Sequence, residues 1–322
     1  MQKIAVIGLG NISSRHRQNL KKLFPDSILF AMSASGRRPE EPIENADIVC
    51  TSIEELIKQG IELAIIASPA SLHAQHAIPL IKANIPILIE KPISSILSDA
   101  ELIKNKTTEY NTPVAIGYCL RYLSSAKKIK EYLDDKIIGN IYHVNIEVGQ
   151  YLPDWRPNKD YLTSVSANKC LGGGALLELS HELDYARWLF GPLTLNHAIL
   201  RTSDELNLNV EDSVDLLAST KKNAVIHIHL DFLQRKAQRI CRIVGSKGAL
   251  DWNLITNEIY FHSLTDSLLL YSEPTWDKNL MYISMLTDFI AKINSEENQV
   301  TDISDSVETI RFIEDIKNSY PN

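Results

Sequence analysis

The chain has 322 residues, a formal net charge of -7 and an apolar content of 44%. That length exceeds one ordinary core and implies two domains, while the acidic balance argues against nonspecific nucleic-acid binding, which needs a basic surface to neutralise phosphates. No apolar run is long enough to cross a bilayer, and the four cysteines, Cys50, Cys119, Cys170 and Cys241, are far apart with no C-x-x-C pair, which suits reduced thiols of a cytoplasmic protein and not a disulfide framework or a metal site.

Lys3–Ile7 already reads as a strand, so no signal peptide is expected ahead of the fold. Ser14–Leu23 is a predicted helix, Ser27–Met32 a second strand and Ile48–Thr51 a short third. Ile53–Lys58 is a helix that Ser52 can cap. Leu63–Ala67 is a strand, Ser71–Ala83 a helix, Ile85–Ile89 a strand, Ser98–Tyr110 a helix and Val114–Gly117 a last strand. This alternation over residues 1–120 implies an α/β, doubly wound parallel sheet. The pattern then changes. Ser124–Tyr132 is helical, Ile141–Gln150 a long strand, Tyr151–Cys170 polar and irregular, and a single helix is expected from Gly174 to Phe190. Strands follow at about His197–Arg201, Ser213–Ser219, Ala224–Phe232, Arg239–Gly245, Ala249–Asn253 and Glu258–His262, with closing helices at Asn279–Ile293 and Ile303–Ser319. Residues 121–322 therefore read as an α+β domain.

Gly8-Leu-Gly10-Asn11-Ile12-Ser13 follows a strand and precedes a helix, the context a dinucleotide fingerprint requires. Gly8 would permit the tight turn and Gly10 the close approach of a pyrophosphate to the helix N-terminus. Ser13 stands where glycine or alanine is usual. Enzymes that use NAD place an acid about 20 residues further on, bonded to the ribose 2′-hydroxyl. Here Ala31-Met-Ser33-Ala-Ser35-Gly-Arg37-Arg38 carries no acid, and Ser33, Ser35, Arg37 and Arg38 suit a 2′-phosphate. NADP is the preferred cofactor, with NAD the other reading and a solvated arginine loop the plainer one. Ser68, Pro69 and His73 close the Leu63–Ala67 strand and should lie over the same crevice.

Glu90-Lys91-Pro92 ends the apolar run Ile85–Ile89. A lysine there faces a ligand crevice or is very costly. Lys91 can stabilise charge developing on a substrate oxygen, and Glu90 can position Lys91 or contact the nicotinamide ribose; a surface ion pair is the alternative. After Gly172-Gly-Gly174, Glu178, His181 and Asp184 are spaced i, i+3 and share a helix face. An imidazole oriented by a carboxylate makes a general base near neutral pH, as oxidation of a secondary alcohol requires. A structural network at the helix start is the competing reading.

Taken together and in this order, Val6–Gly10 with Arg15-His16, Ser68-Pro69 with His73, Glu90-Lys91-Pro92, Gly117–Tyr122, and Gly172–Asp184 ending in Trp188-Leu-Phe-Gly191 resemble the glucose–fructose oxidoreductase / inositol dehydrogenase / rhizopine catabolism family over nearly the whole chain. The resemblance implies a Rossmann domain followed by a domain with a large, open, mostly antiparallel sheet. It also implies hydride exchange between NAD(P) and a sugar, polyol or nucleotide-sugar carbon, and a homodimer or homotetramer. The family lysine maps to Lys91 and the family histidine to His181. Many members carry an aspartate four residues before that histidine; here Leu177 stands there and the acid is Glu178.

The segment 149–161 holds Trp155, Tyr161, Arg156, Lys159, Asp154 and Asp160 close together, which suits a sugar ring with a phosphate or carboxylate held by Arg156. It looks like what a subgroup of the family has beside bacterial surface-sugar pathways. An ordered loop that buries Trp155 is the alternative. Arg121, Tyr122 and Asp184 are the other expected substrate contacts. Two further readings stay open: reduction of another C=O or C=N bond on this fold, and a non-catalytic regulatory protein that keeps the cofactor, against which the presence of both Lys91 and His181 speaks. No metal and no membrane partner is expected.

Overall fold

The computed structural model describes residues 1–320, and these divide into two compact units: Met1–Tyr118 with Tyr282–Ile310, and Cys119–Met281 with residues 311–320. The first unit runs β1 (Lys3–Ile7), α1 (Asn11–Leu23), β2 (Ile28–Met32), β3 (Ile48–Cys50), α2 (Ile53–Lys58), β4 (Leu63–Ile66), α3 (His73–Lys82), β5 (Ile87–Ile89), α4 (Leu97–Tyr110) and β6 (Val114–Ile116). Among the described residues these strands form one six-stranded parallel sheet in the order β3-β2-β1-β4-β5-β6. Residues 4–7, 63–66 and 87–89 are wholly buried, as befits parallel strands covered on both faces by helices, which therefore read as unbroken apolar runs. The strand order reverses between β1 and β4, and ligands of such sheets bind beyond the carboxyl ends of the strands at that point.

The second unit contains α5 (Ser124–Asp134), β7 (Ile141–Gly149), a series of 3-10 turns between Leu152 and Leu171, α6 (Ala175–Glu178) and α7 (His181–Phe190). It continues through β8 (Leu193–Arg201), β9 (Ser213–Thr220), β10 (Val225–Asp231), β11 (Gln238–Gly245), β12 (Gly248–Asn253), β13 (Glu258–His262) and β14 (Ser267–Ser272), and the chain closes with α8 (Leu280–Ile293) and α9 (Ile303–Ser319). Among the described residues its eight strands form one sheet, β14-β13-β12-β11-β7-β10-β9-β8, antiparallel except where β7 meets β10. Val214, Leu216 and Ala218 of β9, and Ile226, Ile228 and Leu230 of β10, are buried. Their neighbours on the other face, including Asp215, Leu217, His227 and His229, are partly or fully exposed. This is the alternation of a sheet packed on one face only.

Two features depart from the sequence reading. The strand β14 was not expected: Leu268 and Leu269 are adjacent and both exposed, so the segment lacks the alternation that marks a half-buried strand. The helix expected from Gly174 to Phe190 is broken at Leu179–Ser180, where the Glu182 amide bonds Leu179 O instead of the carbonyl four residues back. This tightened turn separates Glu178 from His181. No helix of the described residues is long and apolar enough to cross a membrane.

Candidate active site

The turn after β1 is shaped by crowding. Gly8 has φ +116°, and a Cβ there would lie 2.3 Å from Ala67 O and 2.7 Å from Ser13 Oγ, so only glycine fits. Ser13, at the third fingerprint position, donates its hydroxyl to Ala67 O at 3.2 Å and so ties α1 to the end of β4. Gly10 differs: a Cβ would meet nothing within 4 Å. Gly10 caps α1 without a side-chain bond, no acid occupies the first turn, and Asn11 and Ile12 begin the helix. The free amides and the positive end of the helix dipole face an open approach suited to an anion.

After β2, Ser33 donates to Arg37 O at 2.7 Å, and the Gly36 amide bonds Ser33 O at 3.0 Å, closing a tight turn. Ser35, Arg37 and Arg38 are exposed on it. Arg38 feels the carboxylate of Glu55, which in turn accepts from the backbone and hydroxyl of Thr51. Arg37 is thus the more available of the two guanidinium groups.

At the ends of β4 and β5 the geometry is built from buried polar groups. The His73 ring is buried, with Nε2 2.8 Å from Ser68 O and Nδ1 3.0 Å from Pro92 O. Burial lowers its pKa and the carbonyl contacts oppose that shift. The ring therefore bridges the Ser68-Pro69 loop and the Lys91-Pro92 turn, so any contribution of His73 to cofactor binding comes through the shape of the loop. His76 sits behind it against Ser68 Oγ at 3.0 Å, and burial draws its pKa down to about 4. Glu90 is buried; its Oε1 lies 2.6 Å from Nε2 of fully buried His16, and its Oε2 accepts from the Lys91 amide at 3.2 Å. Lys91 itself is partly exposed. The first unit thus gathers Gly8, Gly10, Asn11, Ile12, Ser68, Pro69, His73, Glu90 and Lys91 at the carboxyl edge of its sheet.

In the second unit the glycine run is sterically required. A Cβ on Gly173 would lie 2.4 Å from Val165 O, and one on Gly174 would lie 2.4 Å from Glu211 Oε1. Glu211 accepts from the Leu176 amide at 3.1 Å and so caps α6; desolvation raises its pKa. Glu178 closes α6 and His181 opens α7, both partly exposed. Two of the expected substrate contacts, Arg121 and Asp184, are bonded to each other: Nε to Oδ2 at 2.9 Å and an Nη to Oδ1 at 2.7 Å. Two residues before Asp184, buried Glu182 receives a similar two-pronged bond from Arg239 at 2.7 and 2.9 Å. Tyr122 lies under the Lys127 ammonium, 5.6 Å from its ring centre.

Trp155 and Arg156 line a cleft of about 270 Å³ with Lys159, Asp160, Tyr161 and Ser166. The Trp155 indole packs edge-on to Phe232 at 5.4 Å and donates to Gln150 O at 3.2 Å, leaving Trp155 only partly buried. Ser166 O accepts from the Gly174 amide at 3.0 Å, so the wall of the cleft is continuous in hydrogen bonds with the start of α6. The sequence reading missed Ser13 Oγ, His16, Gly117 and Glu211 as shaping residues. Of these, Ser13, His16 and Gly117 stand within the motifs named above, whereas Glu211 stands in none.

An open parallel sheet of this strand order with a glycine turn onto an uncapped helix defines a dinucleotide-binding fold. Residues 2–118 match the oxidoreductase family with an NAD-binding Rossmann fold, and residues 126–251 match the GFO/IDH/MocA C-terminal domain. The chain belongs to the GFO/IDH/MocA family of oxidoreductases. It is 28% identical over 194 residues to the myo-inositol 2-dehydrogenase of Thermotoga maritima, a match that spans 59% of this chain and 55% of that enzyme. Two solved structures share the fold over 99% of this chain and 96% of theirs. A levoglucosan dehydrogenase in complex with NADH is 20% identical with a TM-score of 0.84. The WlbA dehydrogenase of Bordetella pertussis, in complex with NADH and UDP-GlcNAcA, is 18% identical with a TM-score of 0.81.

Proposed function

We propose that this protein is an NADP-dependent dehydrogenase or reductase of a sugar, polyol or nucleotide-sugar derivative, with residues 1–120 holding the dinucleotide and residues 121–322 the substrate. The observation that carries this reading is Lys91 at the carboxyl end of β5, its amide and the turn after it fixed by Glu90 and His73, in the same unit as the open N-terminus of α1. A lysine in so constructed a place is a donor to a ligand oxygen. Gly8, Gly10, Asn11 and Ile12 would receive the pyrophosphate. Ser33, Ser35, Arg37 and Arg38 would receive the adenosine ribose and its 2′-phosphate, with Arg37 the principal contact. Ser68, Pro69, Glu90 and Lys91 would border the nicotinamide end, and His73 would hold that border in shape.

The nicotinamide, when bound, supplies the hydride acceptor or donor. Lys91 donates to the substrate oxygen and stabilises the charge on it, and His181 takes or returns the hydroxyl proton, with Glu178 as its orienting acid. Trp155 offers an apolar surface to a sugar ring, Arg156 a fork for a phosphate or carboxylate, and Tyr122 a second aromatic contact. Arg121 and Asp184 serve the substrate indirectly, by fixing the helix that begins with His181. The protein is proposed to work in the cytoplasm as a homodimer or homotetramer, the open sheet face with Leu217, Val225, Tyr260 and Leu269 exposed being the surface a second copy would cover.

The test is a screen of myo-inositol, levoglucosan and nucleotide sugars against NADP and NAD, followed by nicotinamide absorbance. With a substrate in hand, Lys91→Ala and His181→Ala should each lower turnover by roughly 100-fold or more while cofactor affinity changes little. Near-normal rates in both variants would remove the proposed site.

A further inference from the structure

Outside the roles assigned above stands one buried histidine. His16 lies on α1, has no exposed surface, and carries Nε2 2.6 Å from Glu90 Oε1. The edge of the Tyr282 ring covers it at 6.2 Å, and that ring is itself under the Arg15 guanidinium at 4.6 Å. Nδ1 of His16 has no hydrogen-bond partner among the described residues. Since the acceptor at Nε2 is a carboxylate, Nε2 carries the proton and donates it. The other oxygen of Glu90 accepts from the Lys91 amide at 3.2 Å. One carboxylate therefore serves two donors, one on the helix that begins at Gly10 and one on the lysine at the end of β5.

Room for that carboxylate has been made on the neighbouring strand. A Cβ on Gly117, just after β6, would stand 3.0 Å from Glu90 Oε2 and 3.1 Å from Glu90 Cα. Three elements thus converge on the carboxylate: α1 supplies a donor, β5 supplies the acid and the second donor, and the β6 end supplies space. Burying a carboxylate without such partners would be strongly unfavourable, and a surface ion pair needs none of this construction.

We propose that His16 and Glu90 form a buried positioning pair that fixes Lys91 relative to the anion-binding end of α1, so that occupancy of that end by a dinucleotide is felt at the lysine. This rests on the dehydrogenase reading given above. His16 and Glu90 are positioning residues; Lys91 is the catalytic one.

The chemistry sets the test. A glutamine at position 90 keeps the shape but has one acceptor oxygen, so His16 must either lose its acceptor or take the tautomer that buries an unpaired Nδ1–H, and the pair as built is lost. Amide exchange at Lys91 is followed by NMR or mass spectrometry on the full chain, with and without saturating NADPH and NADH, alongside cofactor titrations and melting curves. In the wild type, nucleotide should slow exchange over residues 87–93 as well as at the start of α1. Glu90→Gln should speed exchange of the Lys91 amide roughly tenfold, the equivalent of one buried hydrogen bond, and should uncouple it from nucleotide at concentrations that saturate the variant. His16→Leu should do the same. His16→Gln, whose amide nitrogen can take the place of Nε2, should restore the coupling, which a loss of general packing would not allow. If His16→Leu does not fold, Glu90→Gln decides alone. Wild-type protein that binds neither nucleotide overturns the dehydrogenase reading and this pair with it. Wild-type protein that binds nucleotide, with Lys91 exchange the same in Glu90→Gln, overturns the pair alone.

Discussion

Asp184→Leu is the substitution that best separates a structural role from a direct substrate role on α7. In the wild type, Arg121 and Asp184 are joined by two bonds of 2.7 and 2.9 Å. Their side chains are 9% and 2% exposed. The guanidinium also lies over the Trp188 ring, 5.7 Å from its centre. Removing the acid takes both of these bonds from a desolvated guanidinium, and breaking a buried pair in this way costs about 3–5 kcal/mol. For a unit of this size, each kcal/mol moves the melting temperature by roughly 2–4 °C, so a fall of roughly 6–20 °C is expected. Replacing both partners, as Arg121→Met with Asp184→Leu, removes the buried charge as well and should recover most of the loss. The assay is thermal unfolding followed by far-ultraviolet circular dichroism, with the two single variants and the double variant compared as a cycle. A change below about 2 °C in Asp184→Leu would show that the pair is not a buried support, and its residues would then return to direct contact with substrate.

Three further outcomes follow from the same geometry. Gly8→Ala places a Cβ 2.3 Å from Ala67 O at φ +116°, so cofactor affinity should be lost together with stability on the order of 1–3 kcal/mol; normal titration and melting curves would contradict the turn as described. His229 lies between Asp215 at 2.8 Å and Asp231 at 2.9 Å, and its pKa is raised from 6.5 to about 9, first by the bond to Asp231. A histidine whose folded pKa exceeds its unfolded one stabilises fully below the unfolded value and loses that contribution as pH rises through the folded one. Melting temperature should therefore fall between pH 6.5 and 9 more steeply in the wild type than in His229→Gln, and parallel curves would refute the pairing. Arg37→Ala should weaken NADPH by about tenfold, in keeping with one lost charge-assisted bond, and leave NADH nearly unchanged. Equal effects on the two nucleotides would remove the ribose-phosphate assignment.

What the sequence discloses depends on whether the cause is local. The strands of the first unit are legible because a parallel sheet covered on both faces writes itself as Ile4–Ile7, Leu63–Ile66 and Ile87–Ile89, each an apolar run bounded by turns. The glycine turn and Lys91 are legible because glycine and a strand-end lysine are costly anywhere else. The parallel pairing of β7 with β10, the approach of Arg121 to Asp184 and that of His16 to Glu90 join residues 63 to 82 positions apart and leave no periodic mark. Glu211 is hidden for the same reason: it caps α6 from 35 residues away. The break at Leu179–Ser180 escaped because Ala175–Phe190 has helix-forming composition throughout, and only the i−3 bond of Glu182 reveals the tightened turn.

The central claim is that the first unit holds a nicotinamide dinucleotide at the uncapped end of α1, with phosphorylated ribose preferred. It is tested most directly by titrating the purified protein with NADPH and with NADH while following nicotinamide fluorescence. The account predicts saturable binding of both, tighter for NADPH. Tighter binding of NADH would contradict the Ser33–Arg38 assignment, and binding of neither would contradict the dehydrogenase itself.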